Sequence, residues 1–184
     1  TLAIAALQTS ELFGTGRSPR RLGSAHPRNA PYQAFAAADG YFAIAAGNQQ
    51  LWLKVVKAVN LPALANDSRF ASTRERAANQ TPLKEILEAE FRKASAAHWL
   101  KVFADAGVPH AAINDYASAL ADAQVDHMGW VQPLRLPNGT MTRTFGSPIR
   151  LNGRTVPIHE PPPALGQHTN EIQARYKEVE AAND

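Results

Sequence analysis

The 184-residue sequence contains no cysteine, and this excludes several kinds of protein. Without thiols the chain has neither a disulfide scaffold nor a cysteine-ligated zinc or iron–sulfur site. No apolar run approaches the roughly 20 residues that a membrane-spanning helix needs. Charge of one sign is also scarce, because 19 Lys and Arg against 16 Asp and Glu leave a net charge of +3. With 45% hydrophobic residues, the chain is too apolar for a disordered protein, so we expect a folded domain with a buried core.

Familiar catalytic and metal-binding patterns are absent as well. No two histidines have the i, i+4 spacing of a helical metal motif, and no acidic loop has EF-hand spacing. No Gly-x-Ser-x-Gly elbow occurs, and the segment from Gly14 to Arg17 lacks the Walker A lysine. We therefore predict no bound metal, and we interpret Gly14 and Gly16 as the stop of a helix. The six histidines are His26, His98, His110, His127, His159 and His168.

Turn and capping residues divide the first half of the chain into a hairpin and three helices. Asp39-Gly40 lies between two apolar runs over residues 32–47 and predicts a β-hairpin, because glycine takes the positive φ of a tight turn. Asn48 is predicted to cap the next helix, and residues 63–80 are interpreted as a connector. Thr81-Pro82 predicts the start of a second helix. A third helix is predicted between Ser95 and Gly107. Each helix has hydrophobic residues at helical spacing, which we expect to face the core. These are Leu51, Trp52, Val55, Val56 and Val59 on the first; Leu83, Ile86, Leu87 and Phe91 on the second; and Trp99, Leu100 and Phe103 on the third.

The second half of the chain has weaker patterns. Residues 108–113 are a strand candidate, and Asp115 is predicted to cap a short helix that continues to Asp122. Asn138-Gly139 predicts a second hairpin. After a proline-rich linker, Thr169 is predicted to cap a last helix that ends near Ala182. Hairpins and helices in this order indicate an α+β fold rather than a strict βαβ alternation.

The beginning of the sequence has two unusual features. Residues 1–13 read as an apolar helix without a leading methionine or charged region, so we expect the chain to be a fragment of a longer protein. Residues 14–31 form a long loop rich in Gly, Ser, Pro and Arg. Within it, the segment from Gly23 to Tyr32 combines flexible, stiff and titratable residues, as loops that approach a ligand do. Four arginines in the loop are suited to phosphate contacts or to solvent: Arg17, Arg20, Arg21 and Arg28.

Five motifs in order resemble the family III CoA-transferases, which include formyl-CoA and carnitine CoA-transferases and α-methylacyl-CoA racemases. The runs RLGSAHPRNAPYQAF and DGYFAIAAGNQQLW are similar to one continuous stretch of that family. Asn66 to Phe70 resembles its Asp-Pro-Arg-Phe element, although Ser68 stands where proline is usual. The other matches are Arg76 with Asn79, the turn from Ala106 to Pro109, and the segment from Pro163 to Thr169. The resemblance covers about residues 1–175.

The resemblance implies a domain organisation. Residues 1–22 would be a helix and linker from a Rossmann-like large domain, residues 23–150 a small α+β domain, and residues 151–184 a linker and helix that return to the large domain. Most of the CoA site and the aspartate nucleophile would lie in the part of the family that this chain lacks. The resemblance also implies an interlocked homodimer, a cytoplasmic protein, acyl-CoA and a carboxylic acid as substrates, and neither nucleic acid nor membrane as a partner.

The resemblance further implies a covalent mechanism and a site loop. A carboxylate would attack the acyl-CoA thioester and form a mixed anhydride, while a loop that contains Gly23, Ser24 and His26 covers the reacting centre and contacts CoA. We expect this chain alone to be inactive. Three alternatives stay open: part of a 2-methylacyl-CoA racemase, a binding or assembly module without catalysis, and nucleic-acid binding through the four loop arginines.

Overall fold

The structure, a computed structural model, describes residues 2–158 and 160–181. The chain forms two compact units, Thr1–Ile113 and Asn114–Asp184. The α+β class predicted from the sequence is confirmed, since helices and small antiparallel sheets make up both units. The predicted boundaries at residues 22/23 and 150/151 concern the assembly with a large domain, and they stay predictions.

The first unit contains one three-stranded antiparallel sheet, whose strands lie side by side in chain order. Phe35 on the first strand pairs with Phe42 on the second, and both side chains are buried under the helices. The strands are β1 (Tyr32–Ala36), β2 (Tyr41–Ala45) and β3 (His110–Ala112). The helices are α1 (Ala6–Thr15), α2 (Gln49–Ala58), α3 (Thr73–Ala78), α4 (Gln80–Phe91) and α5 (Ala96–Ala106), with 3₁₀ turns at Leu2–Ala5, Pro62–Ala65 and Ser68–Phe70.

The core of this unit is aromatic. Phe91 contacts Phe35, Phe42 and Phe103 at ring-centroid distances of 5.3, 5.0 and 5.9 Å, in the edge-to-face geometry that aromatic rings prefer. Trp99 joins the cluster and donates its indole N–H to the Phe91 carbonyl at 2.8 Å, which satisfies the polar atom of a buried side chain. The three inward stripes predicted for α2, α4 and α5 are confirmed.

Arg76 is the one charged residue among the fully buried side chains of the described chain. Its guanidinium donates to the carbonyls of Ala30 and Phe70, both at 2.9 Å, and to the Gln49 side-chain oxygen at 2.8 Å. A fourth bond reaches the Thr73 hydroxyl, and the guanidinium lies 5.2 Å from the Trp52 ring centroid. Burial lowers the pKa of Arg76 from its ordinary value. One cation therefore joins the end of the loop to α2, α3 and the 3₁₀ turn before it.

Local capping signals place most helix ends as predicted. The Asn48 side chain accepts from the Leu51 N–H at 2.9 Å, and Ser95 accepts from the N–H of His98. Gly107 ends α5 with φ of +62°, a left-handed conformation that glycine adopts easily. The helix predicted for residues 1–13 is a 3₁₀ turn followed by α1, which ends at Thr15 with Gly16 as its C-cap. Gly14 lies inside the helix, so its predicted role as a helix stop is wrong. Thr1 lies outside the described residues.

The start of α4 differs from the prediction. The helix begins at Gln80, so Thr81 and Pro82 already lie in its first turn and Thr81 is not the cap. Asn79 occupies the cap position, but its amide donates to the carbonyls of Arg69 and Glu75 and does not cap α4. The connector predicted for residues 63–80 is also wrong, because it holds two 3₁₀ turns and α3.

The first hairpin is confirmed, but the reason given for it is wrong. Gly40 does not have a positive φ. Four residues, 37–40, connect the strands, and the Ala37 N–H donates to the Gly40 carbonyl at 2.8 Å. The Asp39 carboxylate makes a tertiary contact, because it accepts from the Ala96 N–H at 2.7 Å and so links the turn to the start of α5.

The second unit consists of short elements. Asp115 caps the first of them as predicted by accepting from the Ser118 N–H at 2.7 Å, and this bond lowers the pKa of Asp115. The helix predicted to continue to Asp122 ends at Leu120, and Asp122 caps a second helix that was not predicted. The hairpin around Asn138-Gly139 is confirmed. The elements are α6 (Tyr116–Leu120), α7 (Ala123–Met128), β4 (Val131–Arg135), β5 (Met141–Phe145), β6 (Arg150–Leu151), β7 (Arg154–Thr155) and α8 (Thr169–Ala181).

A third hairpin was not predicted. Strands β6 and β7 pair across Asn152-Gly153, and both turn residues have positive φ, +51° and +77°. Asn-Gly is the same turn signal that predicts the second hairpin, but the flanking strands have only two residues each. The last helix is confirmed, but Thr169, its predicted cap, is already its first residue. The predicted end near Ala182 lies outside the described residues.

Replacement of Arg76 tests its structural role. Arg76→Met should lower the free energy of unfolding by about 3 kcal/mol, because two buried carbonyls lose their donor. Arg74→Met changes an exposed arginine on the same helix and should stay within about 0.5 kcal/mol of wild type. Urea unfolding of both variants measures the difference. Equal midpoints would show that the buried cation does not hold these elements together.

Candidate functional site

The loop before β1 is organised around the imidazole of His26. Its Nδ1 accepts from the backbone N–H groups of Arg28 and Asn29, both at 3.1 Å. The ring stacks on Tyr32 with centroids 5.1 Å apart and planes 14° from parallel. The backbone of His26 is fixed as well, because its N–H donates to the Tyr32 carbonyl and its carbonyl accepts from the Gln80 side chain at 2.7 Å. The resemblance to the family singled out His26, and the structure adds a defined orientation of its ring.

Ser24 and Gly23 lie directly before this ring. The Ser24 hydroxyl oxygen accepts from the Ala34 N–H at 3.1 Å, which satisfies an outward amide of the edge strand β1. Gly23 has φ of +61°, and a Cβ at this position would meet nothing within 4 Å among the described residues. Within residues 2–158 and 160–181, the N–H groups of Gly23 and Ser24 donate to no acceptor. The loop therefore presents two adjacent, unused backbone donors.

An open cleft of about 360 Å³ lies on the sheet face opposite the aromatic core. Its floor is a row of small side chains, since Ala34 pairs with Ala43 and Ala43 with Ala111 across the three strands. Ser24 and Tyr32 border the cleft on the loop side, and the neighbouring residues Pro109, His110 and Ile113 border it on the other. The cleft is thus apolar, with a few polar groups at its edges, as small-molecule sites are.

The structure brings together only some of the predicted site residues. Ser24 lines the cleft, and His26 stacks on Tyr32, which also lines it. Gly23 precedes Ser24 but is not a lining residue. The alanine floor was not predicted, although the alternation of alanine with bulky residues in the two strands is a signal for it. Arg17, Arg20 and Arg21 are exposed, and Arg28 forms an ion pair with Glu11 at 3.4 Å.

Three other motifs that carry the resemblance have structural roles. Asp67 caps a 3₁₀ turn and pairs with Arg69 at 2.7 Å, and these bonds lower the pKa of the Asp67 carboxyl. The arginine and asparagine of the Arg-x-x-Asn motif, Arg76 and Asn79, hold backbone carbonyls. The turn from Ala106 to Pro109 ends α5 and leads into β3, where the Ala45 N–H donates to the Pro109 carbonyl.

Neither a metal centre nor a membrane span is seen in the part of the chain that the structure describes. No group of three or more His, Asp or Glu side chains is arranged there to hold a metal ion. No helix among residues 2–158 and 160–181 has both the length and the hydrophobicity to cross a bilayer. His98 is exposed on α5.

Comparison with known proteins identifies the family. A family model for CoA-transferase family III matches residues 1–169. A crystal structure of a CAIB/BAIF family protein from Brucella suis has the same fold, with a TM-score of 0.73 and 33% identity. That match covers 94% of this chain and 44% of the Brucella protein. The chain belongs to CoA-transferase family III, and the resemblance predicted from the sequence is confirmed.

Two curated relatives are longer proteins. The chain is 36% identical over 156 residues to the succinyl-CoA:glutarate CoA-transferase of Mus musculus, a match that covers 85% of this chain and 36% of the mouse protein. It is 35% identical over 169 residues to the acetyl-CoA:oxalate CoA-transferase of Acetobacter aceti. That match covers 91% of this chain and 42% of the Acetobacter protein. The chain thus spans less than half the length of these relatives.

Proposed function

We propose that the protein to which this chain belongs transfers CoA between an acyl-CoA thioester and a carboxylic acid. The observation that carries this proposal is the family match over residues 1–169. The two relatives described above are named as transferases of this kind, which favours CoA transfer over racemisation of a 2-methylacyl-CoA. Their acids, glutarate and oxalate, are both short dicarboxylates, and we take this class as the acceptor.

The chemistry that the resemblance implies begins with a carboxylate nucleophile outside this chain. An aspartate attacks the thioester carbon, the C–S bond breaks, and a mixed anhydride forms while CoA leaves as a thiolate. The thiolate then attacks the aspartyl carbonyl of the anhydride, which releases the first acid and leaves CoA on the aspartate as a thioester. The incoming acid displaces CoA from this thioester and forms a new mixed anhydride. The thiolate finally attacks the new acyl carbon, which gives the product CoA ester and frees the aspartate. Covalent catalysis of this type divides one difficult transfer into smaller steps. The interlocked homodimer and the cytoplasmic location implied by the resemblance belong to the same proposal.

The loop of this chain contributes donors and excludes water. Gly23 and Ser24 have adjacent backbone N–H groups without an acceptor in the described chain, and such groups stabilise the oxyanion that develops on a thioester or anhydride carbon. The hydrogen bonds of Ser24 and His26 hold the loop in one conformation, so the donors are oriented before substrate binds. A covering loop also keeps water from the anhydride, which hydrolysis would otherwise destroy.

The activity itself can be tested with the relatives' substrates. The full-length protein, supplied with succinyl-CoA or acetyl-CoA and either glutarate or oxalate, should form the CoA ester of the added acid. The chain of residues 1–184 alone should not, because the resemblance places the nucleophile elsewhere. Product CoA esters are measured by chromatography and mass spectrometry. A full-length protein that forms none of them contradicts the proposal, and turnover by residues 1–184 contradicts the location of the nucleophile.

A pair of glycine variants tests the role of the loop. Gly23 and Gly16 both have left-handed backbone conformations, and a Cβ at either meets nothing within 4 Å in the described chain. Gly23→Ala and Gly16→Ala should therefore lose a similar stability, about 1 kcal/mol. Only Gly23→Ala should lower kcat, by about tenfold or more, because it displaces the loop donors.

The glycine pair separates a site effect from a folding effect. Melting temperatures of the two full-length variants give the shared backbone penalty, and kcat for the same acyl-CoA and acid gives the difference between them. If both variants have the same kcat, the loop does not act at the reacting centre.

A further inference from the structure

We propose that the turn Asn152-Gly153, which joins β6 to β7, is a site of spontaneous deamidation. The turn between β4 and β5 contains the same dipeptide, Asn138-Gly139, and the structure protects it from this reaction. The two turns thus differ in chemical stability although their central residues are identical. The proposal concerns a covalent modification of the chain and does not depend on the transfer activity proposed above.

The reaction needs only the dipeptide and water. The backbone nitrogen of the glycine attacks Cγ of the asparagine side chain, the Cγ–Nδ2 bond breaks, and ammonia leaves with the proton of the glycine N–H. The product is a five-membered succinimide ring. Water then adds to one of the two ring carbonyl carbons and opens the ring, which leaves either aspartate or isoaspartate. Glycine favours the first step because it has no side chain to hinder the approach of its nitrogen.

Exposure alone does not distinguish the two turns. Asn138, Gly139, Asn152 and Gly153 are all exposed. A Cβ at either glycine would meet nothing within 4 Å in the described chain, and the two glycines have similar φ angles of +84° and +77°. Any difference in reactivity must therefore come from the hydrogen bonds of each turn and from the strands that flank it.

Hydrogen bonds hold both reacting groups of the first turn. The Gly139 N–H donates to the Leu136 carbonyl at 2.8 Å, and the Asn138 side-chain oxygen accepts from the Thr140 N–H at 3.0 Å. The attacking nitrogen and the carbonyl group that it must reach are thus both bound to other atoms. Five residue pairs connect β4 to β5, so the flanking strands also oppose a local opening of this turn.

The second turn has none of these restraints in the part of the chain that the structure describes. There the Gly153 N–H donates to no acceptor, and the Asn152 side chain forms no hydrogen bond of the kind that Asn138 forms. The flanking strands β6 and β7 have two residues each and are joined by two residue pairs only. Exposed turns with so few hydrogen bonds open at a low cost in free energy, and opening lets the glycine nitrogen reach Cγ.

The charges near the second turn favour the reaction and make its product distinct. Residues 129–158 contain no Asp or Glu, and Arg150 and Arg154 each lie two positions from Asn152. Negative charge develops on the attacking nitrogen, and nearby cations stabilise such charge. Aspartate at this position would add the first negative charge to the segment. Isoaspartate would lengthen the main chain by one methylene group and disturb a two-residue turn, whose length sets the strand register.

Peptide mapping of the full-length protein after prolonged incubation at neutral pH tests the proposal. Trypsin cleaves after arginine and so places the two asparagines in separate peptides, residues 136–143 and 151–154. Deamidation raises the mass of a peptide by about 1 Da. We expect this gain at Asn152 to be roughly tenfold faster than at Asn138, since the second turn opens more easily. Equal rates, a faster gain at Asn138, or no gain at Asn152 would overturn the proposal.

Two controls show whether the structure causes the difference. In the same protein unfolded with guanidinium chloride, the two rates should agree within about twofold, because the turns are then lost. A tenfold ratio that persists in the unfolded protein would assign the difference to flanking sequence and refute the protective role of the first turn. The variant Asn152→Gln should gain no mass in residues 151–154 over the same time, because its side chain would have to close a larger ring. A gain in this variant equal to that of wild type would contradict modification at Asn152.

Discussion

The structure of the first unit depends on a buried cation that has no carboxylate partner among the described residues. Arg76 donates to two backbone carbonyls, an amide oxygen and a hydroxyl, all of them neutral. A buried charge is tolerated only when hydrogen bonds replace its lost contacts with water. Each element that supplies an acceptor oxygen must therefore be packed against the guanidinium. Those elements include α2, α3 and the last residue of the loop before the Ala30–Pro31 peptide bond. Arg76, the arginine of the Arg-x-x-Asn motif, thus holds the end of the loop by a direct hydrogen bond, although the two residues are 46 positions apart in the sequence.

The loop is fixed at its other points by single polar side chains. Gln80, at the start of α4, donates to the His26 carbonyl, and Ser24 takes up an amide of the edge strand. Because α3 and α4 follow one another directly, Arg76 and Gln80 connect the loop to the same part of the core. The position of the loop that carries Gly23 and Ser24 therefore depends on how α3, α4 and β1 are packed.

Much of this fold was predictable from the sequence, and the exceptions have physical reasons. Asn48, Ser95 and Gly107 act on their nearest neighbours, so local sequence was sufficient. Asn79 and Asp39 are used in tertiary contacts, and this is why the start of α4 and the turn of the first hairpin differ from expectation. Gly23, Ser24 and His26 came from a resemblance to a family. Their hydrogen bonds depend on residues up to 54 positions away, which spacing does not reveal.

The central claim is that the loop of this chain covers the reacting centre of a CoA-transferase. The most direct measurement is a crystal structure of the full-length protein with an acyl-CoA bound. The account predicts that the N–H groups of Gly23 and Ser24 lie within hydrogen-bond distance, about 3 Å, of the thioester oxygen or of the carboxyl group that attacks it. A bound thioester that lies beyond the reach of this loop, even through a bridging water, would contradict the account.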